Sequence, residues 1–521
     1  MDVPSIGVDT SGNKIVTDIK PDVLQRFNNL IKKTSETNEN KLTAPTSSGP
    51  DSKVGLFALT ALIVGGTIGS GIFALPATLT GGAGTLGIVV GWTIVTLGML
   101  ALVSVYRNLT LRQMDIDDGI YGWSKAGFGH LAGFFSAYGH GAGDAIGNAS
   151  YLVVIFSALG AYGAFSYFGN GTTWPAVAGA SILLWSVNAL VLRGVKTSTG
   201  VNNVVTVVKI LPIILFVVLA LYNFKYSTFT LDFYGESHAA SIFAQSKTVL
   251  LAAMWTLIGL ESGTIFATRA RNTSDVATAS AIGAVIVAVL LVGVSVLMLG
   301  ILPASEITKL HQPSMAGLMS AMVGPWGGSL INITLIISVT GALIAWVALS
   351  AEEVMLAGRG RSATRWLGKL NEAGAPGNSM LLTTGIAQAM ILVAGFSSAD
   401  YYTLLAFSTS LALLPYLLSS LYAVKSAYLG RGYEGEKAAG RYWEMAVALF
   451  AVAFVLFMFY GAGLKYVLLA AVVWSLGLPF FILGKREQRD QLTNIEWAVC
   501  LAVVGMASAG VAGLFTGALK L

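Results

Sequence analysis

His140, Asp144 and Asn148 stand at intervals of four in one apolar stretch of the sequence. Residues four apart lie on one face of an α-helix, so this face would carry an imidazole, a carboxyl and an amide. The face must contact protein or water, because charged groups are costly in lipid. Two interpretations stay open: Asp144 and His140 hydrogen-bond within the helix, or Asp144 lies beside the cationic end of a bound molecule.

Two further ionisable residues lie in apolar segments. Glu261, in MWTLIGLESGTIF, would cost about 2.5–3.5 kcal/mol or more at the centre of a bilayer. It is either an acid satisfied by neighbouring N–H groups or a carrier of protons. Lys209, in VVKILPII, stands about a turn from the end of its segment. Its ammonium therefore either extends to the surface or serves inside the protein.

The stretch GGTIGSGIF, residues 65 to 73, is rich in glycine within a segment that otherwise has the composition of a membrane helix. A phosphate-binding loop is disfavoured, because no strand precedes it and no GxxxxGK[ST] pattern occurs in the chain. Close helix packing through Gly65 and Gly69 is one interpretation. The other is a broken helix, whose exposed N–H groups would bind a carboxylate.

A second glycine-flanked interruption supports the broken-helix interpretation. Gly259 and Gly263 bracket Glu261 in the sixth apolar segment, five segments after the first interruption. Paired interruptions in corresponding positions are typical of inverted repeats with a binding site where the repeats meet. The pattern predicts a five-plus-five inverted repeat with broken helices 1 and 6.

The elements that must position these residues are membrane helices. The 521 residues are 55% hydrophobic and 11% charged, with a mean hydropathy of +0.72. A span needs about 20 apolar residues, and only helices satisfy their own backbone in lipid. We therefore predict an all-α integral membrane protein of about thirteen spans, at residues 54–79, 84–106, 129–160, 174–192, 200–222, 247–268, 276–302, 326–354, 379–397, 400–424, 443–462, 465–483 and 495–518.

The positive charges indicate the orientation of these spans. With the N-terminus inside, the outer connections hold only Lys225, Lys247, Lys309, Lys465 and Lys520, and the inner ones hold eighteen Lys and Arg residues. Cytoplasmic loops carry this excess. We predict a multi-pass protein of the cell membrane with a cytoplasmic N-terminus and an external C-terminus. The net charge of +5 then requires no nucleic-acid partner.

Three segments organise the chain. Residues 1–53 are polar and predicted to form a largely disordered cytoplasmic tail, in which 21–33 is either a short amphipathic helix at the membrane surface or a chance pattern. Residues 54–424 are predicted to form the inverted-repeat core, and residues 425–521 are predicted to form helices 11–13. The polar stretch DIDDGIYGWSKAGFG between spans two and three is predicted to be a loop with an interfacial aromatic anchor.

Cofactors and catalysis find little support in the sequence. Cys500 is the single cysteine, and four scattered histidines suggest no zinc-type cluster. No nucleophile and base can be paired from these spans, which disfavours an intramembrane enzyme. We predict no metal, no cofactor and no enzyme activity.

Four motifs in order give the chain a resemblance. GTIGSGIFALP, IGN in span three, WTLIGLE in span six and LLPYLL in span ten resemble the amino acid-polyamine-organocation superfamily, across about residues 54–484. The likeness is greatest to the basic amino acid antiporters that exchange arginine for ornithine or agmatine. The thirteenth span is similar to the arginine/ornithine branch, whereas the long polar tail departs from it.

The resemblance implies a role for each matching position. Thr67, Ser70 and Gly71 would hold the substrate carboxylate, and the carbonyl of Ile258 its amino group. The remaining implied roles are a middle gate at Trp255, a stacking indole at Trp346, a lid at Tyr416, contacts to the far end of the substrate at Asn148 and Ser408, and a proton-linked gate at Glu261. Lys209 would stand where related carriers keep a cation. Trp346 could equally be a core residue.

Departures from the family pattern concern span three, where His140 and Asp144 replace residues of other types. The preferred interpretation is an antiporter of cationic amino acids or their amines, arginine against ornithine first, with amino acids and lipids as partners and a homodimer as one possible assembly. His140, Lys209 and Glu261 are the candidate coupling residues. The alternatives are a proton-coupled symporter and an amino-acid sensor that moves nothing.

Overall fold

The chain divides into two compact units, 1–52 and 53–521. The computed structural model describes residues 6–8, 14–16, 55–116, 118–194, 199–238, 240–259, 273–435 and 437–519. In the first unit, strands β1 (Ile6–Val8) and β2 (Lys14–Val16) pair antiparallel, with Ile6 opposite Val16. The helix predicted at 21–33 lies outside the described residues, and the tail stays a prediction.

The second unit is helical throughout its described part. Its helices are α1 (Leu56–Thr67), α2 (Gly71–Thr80), α3 (Thr85–Arg112), α4 (Gly119–Phe128), α5 (His130–Gly160), α6 (Trp174–Leu192), α7 (Thr199–Tyr222), α8 (Tyr226–Phe229), α9 (Ile242–Leu257), α10 (Thr273–Leu297), α11 (Ala304–Ile307), α12 (Ser314–Val323), α13 (Pro325–Arg359), α14 (Gly377–Ser397), α15 (Tyr401–Leu429), α16 (Ala438–Glu487) and α17 (Asn494–Phe515). Short 3₁₀ turns lie at Gly163–Phe168, Glu236–His238 and Met298–Gly300. Within the described ranges, nine helices are long and apolar enough to cross a membrane.

The first predicted span is interrupted, as the glycine pattern predicts. Helix α1 ends at Thr67, Ile68 is extended with φ −73° and ψ 96°, and α2 begins at Gly71. The sixth span ends its first half in a similar way. Helix α9 stops at Leu257, Ile258 is extended, and Gly259 has φ 105°, a conformation that favours glycine. The continuation from residue 260 to 272 lies outside the described residues.

One predicted loop differs from the structure, whereas the boundary predicted between spans eleven and twelve is present. The two parts of α16 meet at Gly463, whose φ of 72° and ψ of 171° are not helical. The polar stretch before span three is a helix, α4, and the loop prediction is wrong. Trp123 and Tyr121 of α4 are buried, and Trp123 stacks on Tyr106 with ring centroids 5.6 Å apart. Tyr121 and Trp123 therefore pack inside the protein, which compensates for the polar composition of α4, whereas Phe128 at its end is exposed.

Helix α5 lies at the centre of the unit and is buried along almost its whole length. It packs on α13, α14 and α15. Its many small residues, such as Gly141 and Gly143, allow the neighbouring backbones to come close: Gly143 lies against the carbonyl of Ser408. The polar stripe of α5 is therefore enclosed by protein.

Candidate functional site

A small cavity lies between the α1–α2 interruption and the end of α9. The residues that line it are Thr67, Gly69, Gly71, Tyr151, Trp255, Thr256, Ile258 and Trp346. Five of these eight are residues that the sequence assigns to substrate binding or gating. Because an α-helix leaves its first N–H groups without partners in the helix, the start of α2 at Gly71 presents donors to this cavity.

The glycines of the interruption also serve close packing. A side chain at Gly65 would collide with Thr206, and one at Gly71 with Thr256. At Gly69 it would lie 2.7 Å from the hydroxyl of Tyr151. The two interpretations of the glycine run are thus both realised, because the interrupted backbone is enclosed closely on three sides.

Lys209 occupies the inside of this interruption. Its Nζ donates to the carbonyl of Ile68 at 2.7 Å and to the carbonyl of Gly65. The side chain is 3% exposed, so the alternative in which it extends to the surface is wrong. The Lys209 side chain therefore supplies donors to two backbone carbonyls that the end of α1 leaves outside a regular helix.

The hydroxyl groups of the interruption have protein partners. Ser70 Oγ lies 2.8 Å from the hydroxyl of Tyr401, at the start of α15. Thr67 Oγ1 donates to the carbonyl of Ile63 at 2.8 Å, within α1. The hydroxyl proton of Thr67 is therefore committed within α1, while the Ser70–Tyr401 contact links the interruption to α15.

Aromatic rings close the cavity toward α5. Trp255 meets Tyr151 edge-on at 6.1 Å between centroids, and a side chain at Gly147 would collide with Trp255. Trp346, on α13, lines the cavity and is partly buried. Trp255 is thus packed against α5, and Trp346 forms part of the cavity wall on the side of α13.

The face of α5 continues from the cavity through Asn148. Asn148 is 2% exposed, and its Oδ1 accepts no hydrogen bond from any described residue. Ser408 Oγ donates to the carbonyl of Gly143 at 2.6 Å, which joins α15 to α5 one turn away. The amide oxygen of Asn148 is accordingly available to a donor.

Further along the same face, α5 and α13 bring three ionisable groups together. His140 Nδ1 lies 3.0 Å from Glu353 Oε1. His140, Asp144 and Glu353 each offer a ligand atom within 4.8 Å of the others, and this donor set could also hold a divalent metal ion. The ring of Tyr416, which is fully buried, meets that of His140 edge-on at 5.9 Å.

One predicted site residue cannot be placed, and three residues at the site were not predicted. Glu261 lies outside the described residues. Tyr151, Tyr401 and Glu353 were not predicted. Tyr151 follows Asn148 by three positions and so continues the α5 face, and Glu353 follows Trp346 by seven, which is two turns along one face. Those two could have been found by spacing, whereas nothing local marks Tyr401.

Comparison with known proteins gives the chain clear relatives. The family model for amino acid permeases matches residues 54–484. An arginine/ornithine antiporter of Pseudomonas aeruginosa is 38% identical over 478 residues, which are 90% of this chain and 98% of that protein. An L-lysine transport protein of Corynebacterium glutamicum is 33% identical over 90% of this chain and 96% of its own. An arginine/ornithine antiporter of Latilactobacillus sakei is 28% identical, with 89% and 98% covered.

Proposed function

Since the chain belongs to the amino acid permease family, we propose that it exchanges cationic amino acids across the cell membrane, with arginine entering against ornithine leaving. The chain is thus a transporter rather than an enzyme. The observation that carries the proposal is the cavity enclosed by the α1–α2 interruption, the end of α9 and Trp346. The names of the relatives support the choice of substrate pair.

The cavity suits the head group common to all amino acids. The substrate carboxylate lies at the N-terminus of α2, near Ser70 and Gly71, where N–H groups and the helix dipole favour an anion. The α-amino group donates to the carbonyl of Ile258. The wall formed by Thr67 fixes the head group between these two ends, so affinity for the head group is independent of the side chain.

The side chain of the substrate points along α5. Trp346 offers its ring face to the cationic side chain, an interaction of about 0.5–2 kcal/mol. Asn148 and Ser408 line the route, and Asp144 provides the charge that replaces lost water. Trp255 and Tyr416 are the gates on this route, and Glu261, with Lys209 and His140, is the candidate for proton coupling.

Exchange follows from the charge of the pocket. An anionic pocket is costly to reorient empty, whereas a cationic occupant neutralises it in both directions. Arginine and ornithine each carry one net positive charge at neutral pH, so their exchange is electroneutral. The fold proposed for this cycle is a five-plus-five inverted repeat of thirteen spans, with the N-terminus cytoplasmic and the C-terminus external.

Counterflow in proteoliposomes tests the proposal. Vesicles loaded with ornithine should take up labelled arginine, and empty vesicles should not. Uptake into empty vesicles driven by a pH gradient would show a proton-coupled symporter instead. Binding of arginine without any flux would show a sensor.

Asp144→Asn tests the cationic end of the pocket. The neutral variant should lose affinity for arginine and ornithine far more than for neutral amino acids that bind weakly, because only the cations lose a charge pair. The comparison is made by competition against labelled arginine. Equal losses for cationic and neutral competitors would leave Asp144 with a structural hydrogen bond only.

A further inference from the structure

Glu353, on α13, places a second carboxylate beside the polar face of α5 that carries Asp144. It stands in SAEEVM of α13, and its Oε1 lies 3.0 Å from Nδ1 of His140. Its other oxygen, Oε2, is buried and accepts no hydrogen bond from the part of the chain that the structure describes. A buried carboxylate oxygen is costly without a donor, so this atom is placed to receive one.

The position of Glu353 relates it to the cavity. Trp346 lines the cavity, and Glu353 lies seven residues further on the same face of α13, about 10.5 Å along the helix axis. Asp144 lies one turn from Asn148 on α5, and its carboxylate is within 4.8 Å of the ligand atoms of both His140 and Glu353. Glu353 contacts His140, which stands one turn beyond Asp144 on α5. The two carboxylates therefore lie beside each other beyond the end of the cavity, and that of Glu353 is about one turn further from the proposed head group.

The arrangement discriminates between basic side chains. A guanidinium is planar and carries N–H donors on two edges, so it can bond two carboxylates at once. An ammonium is a compact point charge, and the ammonium of ornithine stands on a chain shorter than that of arginine. The nearer carboxylate, on Asp144, is within reach of both cations, whereas the farther one, on Glu353, suits the longer and forked group.

We infer that Asp144, Glu353 and His140 form a distal subsite for a guanidinium, in which Glu353 distinguishes arginine from ornithine. The inference rests on the proposed exchange of cationic amino acids. His140 holds one oxygen of Glu353, and the second oxygen bonds the substrate. Arginine then bonds both carboxylates, whereas ornithine bonds only that of Asp144. The carrier can therefore bind the two partners of the exchange with different affinities.

The test compares Glu353→Gln with Glu352→Gln, since Glu352 is the neighbouring residue and is exposed. Half-saturating concentrations are measured by counterflow, and dissociation constants by calorimetry on the purified full-length protein, for arginine, ornithine and citrulline. Citrulline has the shape of arginine with a neutral urea in place of the guanidinium. Glu353→Gln should weaken arginine about tenfold or more and ornithine less than about threefold. Glu352→Gln should change both by less than about twofold.

The pattern across ligands separates the outcomes. The preference for arginine over citrulline should become smaller in Glu353→Gln, because only one of the two carboxylates that bond the positively charged guanidinium remains. If wild type exchanges arginine for ornithine but Glu353→Gln weakens both equally, the distal subsite is refuted and the proposed function stands. If wild type neither binds nor exchanges either, both fail. Should Glu353→Gln not fold, Glu353→Asp keeps the charge on a shorter side chain and must show the same arginine-selective loss.

Discussion

Replacing Lys209 by methionine tests what keeps the first interruption open. The ammonium donates to the carbonyls of Gly65 and Ile68, and the side chain is 3% exposed. Hydrogen bonds to charged groups contribute about 1.5–3 kcal/mol each, so two of them stabilise this conformation by about 3–6 kcal/mol. Methionine has nearly the same length and no donor. At 1.4 kcal/mol for each factor of ten, the interrupted conformation should become about a hundredfold or more less favourable.

The assay is arginine/ornithine counterflow in proteoliposomes, with protein amount and orientation matched. Lys209→Met should lower the transport rate at subsaturating arginine by at least about a hundredfold. Lys225→Met is the control, because Lys225 is an exposed lysine just beyond the end of the same helix. Transport by Lys209→Met within a few-fold of Lys225→Met would refute the role of the ammonium. An added test is sodium, which should restore part of the transport in Lys209→Ala if the emptied space accepts a cation.

Three more substitutions follow from contacts in the structure. In Gly71→Ala the new methyl group collides with that of Thr256, so the free energy of unfolding should fall by about 1–3 kcal/mol. Adding Thr256→Ser should restore part of the transport, and no restoration would show that this collision is not the cause of the loss. Tyr401→Phe removes the hydrogen bond to Ser70 and should raise the half-saturating arginine concentration a few-fold. Adding Ser70→Ala should then change this concentration little, whereas fully additive increases would mean that the two hydroxyls act separately. Glu496→Ala removes the capping box of α17 and the ion pair with Lys485, so thermal unfolding should show a loss of stability of about 1–2 kcal/mol while counterflow persists. Loss of transport in folded protein would contradict a purely structural role.

The helices could be predicted because lipid leaves few alternatives. Spans such as 129–160 and 174–192 agree within a residue with His130–Gly160 and Trp174–Leu192. The error at α4 has the same origin. A hydropathy profile treats polar residues as exposed, yet Tyr121 and Trp123 of α4 are buried against neighbouring helices. Composition therefore identifies helices that contact lipid, but it does not identify a polar helix that packs on protein.

The candidate site was predictable where its residues follow one another on a helix. His140, Asp144 and Asn148 share a face through a spacing of four, and the structure encloses that face. Glu353 was not predicted, because two adjacent glutamates have the composition of a helix end near the membrane surface. The structure separates them, since Glu352 is exposed and Glu353 is partly buried. Tyr401 is 331 residues from its partner Ser70, and such a contact depends on how the helices pack. Local pattern carries no information about it.

The interruption of the first span has two unequal sides, and this asymmetry supports the proposed binding of a carboxylate there. On the side of α1, the freed carbonyls of Gly65 and Ile68 are already bonded to Lys209. On the side of α2, the helix begins at Gly71 without a side-chain cap, beside the cavity. Two acceptors of the broken helix are thus satisfied by Lys209, while no side chain caps the donors at the start of α2. Uncapped donors at the start of a helix favour an anion over a cation, which supports the proposed orientation of the head group with its carboxylate toward α2.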